Sequence, residues 1–159
     1  MMRIRSVSLL FMAALLGGCV MAPMEPEMTP VEIQSMQTRS YDAQLDIAFR
    51  SVVSVFQDLG YTIQNADINS GLITAESAAN SNSTFAFFTG TTRVEQTRAT
   101  AFVERIGERS SIRLNFVRTE QSSSETGQTD RQDTPVLDAS IYQNAFERIE
   151  NAIFIRSGN

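Results

Sequence analysis

The chain has 159 residues and a formal net charge of −5, and it contains no histidine and no lysine, since all 13 basic residues are arginine. The commonest general base and zinc ligand is therefore missing, and lysine-based covalent catalysis is excluded. A chain this acidic is a poor nucleic-acid binder, and its length fits one domain with a hydrophobic core. We expect no catalytic residue, no cofactor, no metal site and no nucleic-acid partner.

The first 19 residues have the pattern of an exported lipoprotein. Arg3 and Arg5 precede an apolar run, Val7–Leu16, which as a helix would reach only about 15 Å and cannot cross about 30 Å of hydrocarbon. The run ends in Leu16–Cys19, where two glycines precede the only cysteine. The pattern predicts a signal peptide at 1–18, cleavage before Cys19 and lipidation of the Cys19 thiol. The alternative is an ordinary secretory signal with a chance cysteine.

The segment after the cysteine is predicted to be a tether. Residues 19–32 are rich in Met and Glu and contain Pro23, Pro26 and Pro30, a spacing that predicts neither helix nor strand. Such a segment would hold a domain about 30 to 40 Å from the lipid. We assign 33–159 to a single domain.

The first half of that domain predicts a strand, a helix and a hairpin. Ile33–Tyr41 is predicted to be a strand, and Asp42 is predicted to be the N-cap of an amphipathic helix of about 17 residues that ends before a left-handed Gly60. Two extended stretches then flank a turn at Asp67–Gly71. A calcium loop is the weaker interpretation of that turn, because the oxygen ligands are too few. The helix's predicted apolar face comprises Leu45, Ala48, Phe49, Val52, Phe56 and Leu59.

The second half predicts another hairpin, a long loop and a final helix. Gln96–Ile106 and Ser110–Thr119 are predicted to pair about Gly107, with Ile112, Leu114 and Phe116 on the buried face. Glu120–Asp133 has nothing apolar to bury and is predicted to be a mobile loop. Asp138 is predicted to cap the last helix, whose apolar stripe is Tyr142, Ala145, Phe146, Ile149, Ala152 and Ile153.

These elements predict an α+β fold, in the order β-α-β-β-β-β-α. The economical arrangement is a twisted antiparallel sheet of about five strands with two helices packed on one face.

The residues that could contact a partner are few. Phe85, Phe87 and Phe88 stand together beside a serine-rich stretch, and in a strand at least one ring would be exposed, which makes a contact with a partner or a lipid surface possible. The alternative is a lid over the sheet edge or the end of the core. Arg39 is a weaker candidate, for an anion near the helix start, and is expected instead to be a solvated residue paired with an acid. The acids Asp58, Asp67, Glu104 and Glu108 have no spacing that singles out a catalytic pair.

Two sets of segments resemble small outer-membrane lipoproteins of Gram-negative bacteria with a helix-grip domain like that of the β-barrel assembly machinery lipoprotein. The first set is Met36–Asp42, Phe56–Tyr61 and Gly71–Ala75, and the second is Ile112–Phe116, Ile141–Gln143 and Ile153–Ile155. The chain departs from the family's paired aromatics in having Ala145 before Phe146. The resemblance implies location and fold but no activity. Since bacterial lipoproteins kept at the inner membrane often have aspartate after the cysteine, Val20 favours the outer membrane, with the domain facing the periplasm.

Together these observations predict a non-catalytic, lipid-anchored envelope protein and not an enzyme. Its expected partners are the membrane, through the anchor, and another envelope protein, for which it would serve as an interaction or assembly-accessory module. The alternative is a periplasmic binder of an apolar small molecule or lipid in the groove between helices and sheet. An apolar void of several hundred Å3 would favour this alternative. The oligomeric state is left open.

Overall fold

The computed structural model describes residues 28–81, 91–124 and 129–158. Within these ranges the chain is an α+β domain with three helices and seven strands in one antiparallel sheet. In chain order the elements are α1 Pro30–Gln37, β1 Thr38–Tyr41, α2 Leu45–Asp58, β2 Tyr61–Asp67, β3 Leu72–Ser77, β4 Asn80–Ser81, β5 Thr91–Ile106, β6 Arg109–Ser124, β7 Thr129–Pro135 and α3 Ala139–Arg156.

The sheet is built around the hairpin of β5 and β6. These strands have 16 residues each and stay in one register from Thr91 opposite Ser124 to Ile106 opposite Arg109. The strand order is β1-β6-β5-β3-β2, while β4 also pairs with β5 and β7 also pairs with β6. Each long strand therefore has two shorter strands along its outer edge. The turn predicted at Gly107 is confirmed, and this glycine has φ 64°.

One face of the sheet and one face each of α2 and α3 form the core. The alternation predicted for β6 is confirmed, because Ile112, Leu114 and Phe116 are buried while Arg113 is exposed. Both helices reach this face, since the Phe116 ring contacts Phe56 of α2 and Tyr142 of α3. The buried residues of the two helices are Ala48, Phe49, Ser51, Val52, Val55, Phe56, Tyr142, Ala145, Phe146, Ile149 and Ile153. The predicted stripe of the last helix is thus buried, apart from the partly buried Ala152.

The N-terminal helix α1 corrects two predictions. We predicted a strand over Ile33–Tyr41 and no regular structure up to residue 32, but α1 occupies Pro30–Gln37 and only Thr38–Tyr41 is a strand. Pro30 is the first helical residue, where its missing N–H costs nothing. The Thr29 hydroxyl accepts from the Glu32 N–H, and the Glu32 carboxylate accepts from the Thr29 N–H at 2.7 Å. This capping box starts the helix, so the expected boundary after residue 32 falls inside α1.

Helix α2 is shorter than predicted and begins at a different cap. It has 14 residues rather than about 17, and its N-cap is Gln44, not Asp42. The Gln44 side chain makes no capping hydrogen bond, so packing of the apolar face, rather than a cap, sets where this helix begins. The predicted left-handed residue after the helix is confirmed, because Gly60 has φ 84°.

The predicted loop at Glu120–Asp133 is wrong. Strand β6 continues to Ser124, and Thr129–Pro135 forms β7, which pairs with Val117–Ser123. Every residue of β7 is exposed. The low apolar content suggested a loop, but a ladder of backbone hydrogen bonds does not require a buried face in each added strand. The sheet therefore continues past the core as a largely polar extension.

The fold class is confirmed as α+β with an antiparallel sheet, whereas the counts of five strands and two helices were too low. In the three described ranges, no helix is both long enough and apolar enough to cross a membrane. Cys19 and the aromatic cluster of Phe85, Phe87 and Phe88 lie outside the described residues.

Candidate binding cleft between the two long helices

The cleft begins where α2 ends. Gly60, in its left-handed conformation, turns the chain from the last helical residues into β2. Because glycine lacks a Cβ, this turn is made without steric strain. Leu59 and Tyr61 flank the glycine, and both are partly buried against the core. One wall of the cleft is therefore aliphatic and aromatic.

The opposite wall is the first part of α3. The Asp138 carboxylate accepts from the Ser140 N–H at 2.9 Å and from its hydroxyl at 2.7 Å, which fixes the start of the helix. These hydrogen bonds lower the pKa of Asp138. One turn further on, Ile141 is 40% exposed and Ala145 is buried. The space between the walls has a volume of about 450 Å3 and is lined by Leu59, Tyr61, Phe116, Ser140, Ile141, Asn144 and Ala145.

The floor of the cleft is aromatic. The Phe116 ring lies 6.3 Å from the Tyr61 ring and 6.3 Å from the Phe56 ring, and Tyr61 and Phe56 are 5.9 Å apart. These tilted and edge-on contacts hold the rings in place. Burial raises the pKa of the Tyr61 hydroxyl, so the ring is neutral at physiological pH. The floor can make apolar and aromatic contacts.

A second, smaller recess continues from the cleft along the sheet. Its volume is about 240 Å3, and it shares Ile141 with the cleft. Leu137 is 39% exposed at its edge, and Arg118 forms its polar end. The Arg118 Nε atom lies 2.8 Å from the Glu95 carboxylate, so this charge is already balanced. The two recesses meet at Ile141; the cleft is mainly apolar, whereas the second recess has polar and apolar lining residues in about equal measure.

Another hollow of similar volume lies elsewhere on the domain. It has a volume of about 470 Å3 and lies at the start of α2, between the β2–β3 and β5–β6 turns. Asp46, Arg105 and Glu108 contribute charges of both signs to its lining, together with Gln44 and Ile68. Exposed side chains of opposite charge around turns are common on any protein surface. We therefore treat the apolar cleft, not this hollow, as the candidate site.

Arg39 is solvent-exposed as predicted, but the predicted pairing with an acid is wrong. It is exposed on β1, and its guanidinium carbon lies 5.0 Å from the centre of the Phe146 ring. Among the residues that the structure describes, no acid lies within salt-bridge distance of Arg39. A cation over an aromatic ring contributes about 0.5 to 1 kcal/mol at an exposed site. Arg39 thus lies over the ring of the buried Phe146.

The four acids considered from the sequence lie on separate elements. Asp58 ends α2, Glu104 lies within β5 and Glu108 is in the β5–β6 turn. Asp67 accepts from the Asn69 N–H at 3.0 Å and shapes the β2–β3 turn, and this bonding lowers its pKa. Throughout the described ranges, no three Asp, Glu, His or Cys side chains come close enough together to hold a metal ion. The structure assigns Asp67 a turn-forming role and brings none of these acids into the cleft.

No protein-family model and no curated protein shows a significant match to the chain. The site must be interpreted from its own geometry.

Proposed function

We propose that this chain is a non-catalytic, lipid-anchored protein of the bacterial outer membrane whose apolar cleft binds a segment of another envelope protein. The lipidation pattern at Leu16–Cys19 supports the anchor, and the tether that follows it supports a domain held in the periplasm. The observation that carries the binding function is the cleft, because the partly buried Leu59 and Tyr61 and the exposed Ile141 offer apolar surface to an incoming side chain.

The fold is consistent with the helix-grip arrangement that the resemblance implies. Helices α2 and α3 contact the same face of an antiparallel sheet through Phe116. We propose that the domain is helix-grip-like, with β7 and α1 as additions at one side of the sheet.

A protein segment fits the cleft because the interior beneath it is already full. Phe56, Phe116 and Tyr142 are almost wholly buried under the helices, and the free apolar surface lies at the open end, on Leu137 and Ile141. Burying one large apolar side chain there would contribute about 1.5 to 3 kcal/mol. Two or three such side chains, presented along the cleft and the recess beside it, would give a specific contact of moderate strength.

Affinity capture of the intact lipoprotein from membranes tests this proposal. Ile141→Glu places a charge at the mouth of the cleft, where Ile141 is 40% exposed, so the change should leave the fold intact. The matched control is Ile155→Glu, on the same helix at a residue that is 73% exposed and does not line the cleft. We expect Ile141→Glu to lose the captured protein and Ile155→Glu to retain it. Equal capture by both variants would contradict a cleft-bound partner.

A second function, the binding of an apolar small molecule or lipid, is favoured by the volume of the cleft. About 450 Å3 falls within the range of about 300 to 1,000 Å3 that is typical of ligand sites. Mass spectrometry of organic extracts from the natively purified protein distinguishes the two functions. A lipid recovered from the parent chain but not from Ile141→Glu, without any captured protein, would favour the small-molecule function.

A further inference from the structure

Among the residues that the structure describes, strand β7 has one unpaired edge. On one side it pairs with β6, from Val117 opposite Pro135 to Ser123 opposite Thr129. On its other side, none of the described strands pairs with it. All seven of its residues are exposed. Its outer backbone groups are therefore free to form hydrogen bonds with another strand.

The register with β6 determines which groups point outward. The Val136 N–H donates to the Phe116 carbonyl at 2.9 Å. Counting back from Val136, the even-numbered residues of β7 therefore form the backbone hydrogen bonds to β6. In an antiparallel pair the bonded residues alternate. The odd-numbered residues of β7 consequently point their backbone groups away from the sheet. Arg131 and Asp133 each offer an outward N–H and C=O, whereas Pro135 offers only a C=O.

We propose that two copies of this chain associate through β7, antiparallel about a twofold axis at Gln132, to form one continuous sheet. In this register Arg131 of one copy lies opposite Asp133 of the other, and the reciprocal pair forms on the far side of the axis. Both pairs are of the hydrogen-bonded kind, so each would exchange two backbone bonds in addition to its ion pair. Thr129 opposite Pro135 adds one bond at each end, because only the proline lacks an N–H. The total is about six backbone hydrogen bonds.

The charges favour this register over its neighbours. The nearest registers that use the same backbone groups are shifted by two residues. One of them places Arg131 opposite Arg131 of the other copy, and the other places Asp133 opposite Asp133 of the other copy. Like charges directly opposite each other on one sheet face are destabilising. Within one chain, Arg131 already contacts Asp133, with both nitrogen to oxygen distances at 3.2 Å. The guanidinium can therefore reach either carboxylate as the two strands approach.

Disulfide formation in the full chain, in membranes, tests the pairing. A seven-residue edge is a small interface, and a weak dimer is trapped more readily than it is isolated. Gln132→Cys places a thiol opposite its own copy in a pair that is not hydrogen-bonded, with Cα atoms about 4.5 Å apart. Thr134→Cys is the matched control, on the same strand and the same face but about 13 Å along the strand from its copy. The parent chain, whose only cysteine is Cys19, is the control for any dimer linked through Cys19.

We expect a disulfide-linked dimer from Gln132→Cys at a yield at least fivefold above that from Thr134→Cys. Adding Arg131→Asp should remove most of it, because two acids then face each other, and adding Arg131→Asp with Asp133→Arg should restore it. Equal yields from the two cysteine positions would overturn the proposal. So would a failure of the double reversal to restore what the single reversal removes.

Discussion

The hydroxyl oxygen of Tyr142 lies 2.9 Å from the carbonyl oxygen of Val136 and donates its proton to it. The same hydroxyl accepts from the Phe116 N–H at 3.4 Å. Since the Val136 N–H already donates to the Phe116 carbonyl, the Tyr142 hydroxyl replaces the second backbone bond of this pair. It therefore ties the last helix to the sheet in the gap between β1 and β7.

The first prediction concerns the loss of this hydroxyl. Tyr142→Phe should lower the free energy of unfolding by about 1 to 3 kcal/mol, because it leaves the buried N–H of Phe116 and the partly buried carbonyl of Val136 without this partner. The Gln37 side-chain amide, which also donates to this oxygen at 3.4 Å, loses a contact as well. A denaturant titration measures the change.

The control for Tyr142→Phe is Tyr41→Phe. The Tyr41 hydroxyl donates only to the Phe146 carbonyl, at 3.2 Å, so its removal should cost about 0.5 to 1.5 kcal/mol. If Tyr142→Phe proves no more destabilising than Tyr41→Phe, the inserted hydroxyl is not a structural link.

The second prediction concerns stability at alkaline pH. Burial raises the pKa of Tyr41 from 10.0 to about 12. A folded-state pKa above the unfolded one means that the folded protein holds the proton more tightly, so the stabilisation is complete below pH 10 and is lost as the pH rises through about 12. The chain has no lysine, and arginine stays protonated in this range. Tyrosines therefore dominate the side-chain titration.

Denaturant titrations at pH values from 9 to 12 check this prediction. The parent chain should lose stability across that window, and Tyr41→Phe should lose distinctly less of it. Burial also raises the pKa of Tyr61, so Tyr41→Phe should still lose some stability as the pH rises. Identical pH profiles for the two proteins would show that Tyr41 is not protected from ionisation.

The third prediction concerns Gly71 in the β2–β3 turn. Gly71 has φ 72°, and a Cβ added there would collide with the backbone carbonyl of Val103. That residue's N–H donates to the Gly71 carbonyl at 2.8 Å, so the backbones cannot separate without losing a bond. Gly60 has φ 84° but no atom near its Cβ position.

Gly60→Ala should therefore cost only the conformational penalty of about 1 to 2 kcal/mol. Gly71→Ala should cost at least about 1 kcal/mol more, from the collision and the weakened hydrogen bond. Thermal and denaturant unfolding of the two variants measure the difference. Similar losses would show that the turn adjusts freely.

Periodic apolar sequence predicted the core well, but it could not predict the polar additions. The alternation of Ile112, Leu114 and Phe116 and the stripe around Phe146 identified buried faces, because a buried face repeats with the period of its element. Strand β7 has no apolar residue except Pro135, so its backbone pairing leaves no periodic signal. Helix α1 did leave a signal, since Thr29 and Glu32 have the spacing of a capping box, but Pro30 was interpreted only as a helix breaker.

A groove between helices and sheet was part of the alternative function only, and the sequence could not place it. Its position depends on how far apart the ends of α2 and α3 lie on the sheet. That distance is set by packing between residues far apart in the chain, such as Phe56 and Phe116, and no local pattern encodes it. Contact of Phe85, Phe87 and Phe88 with a partner or a lipid surface remains a prediction.

The central claim, that this domain is held at a membrane by lipid on Cys19, is tested most directly by the intact mass and N-terminal fragments of the protein recovered from membranes. We predict a mature chain that begins at Cys19 and carries a thioether-linked diacylglycerol and a further acyl chain on its amine. Two or more acyl chains make such anchoring effectively permanent, so Cys19→Ser should leave the membrane fraction or persist as an uncleaved precursor. A mature protein that begins at another residue, or that carries an unmodified Cys19, would contradict the account.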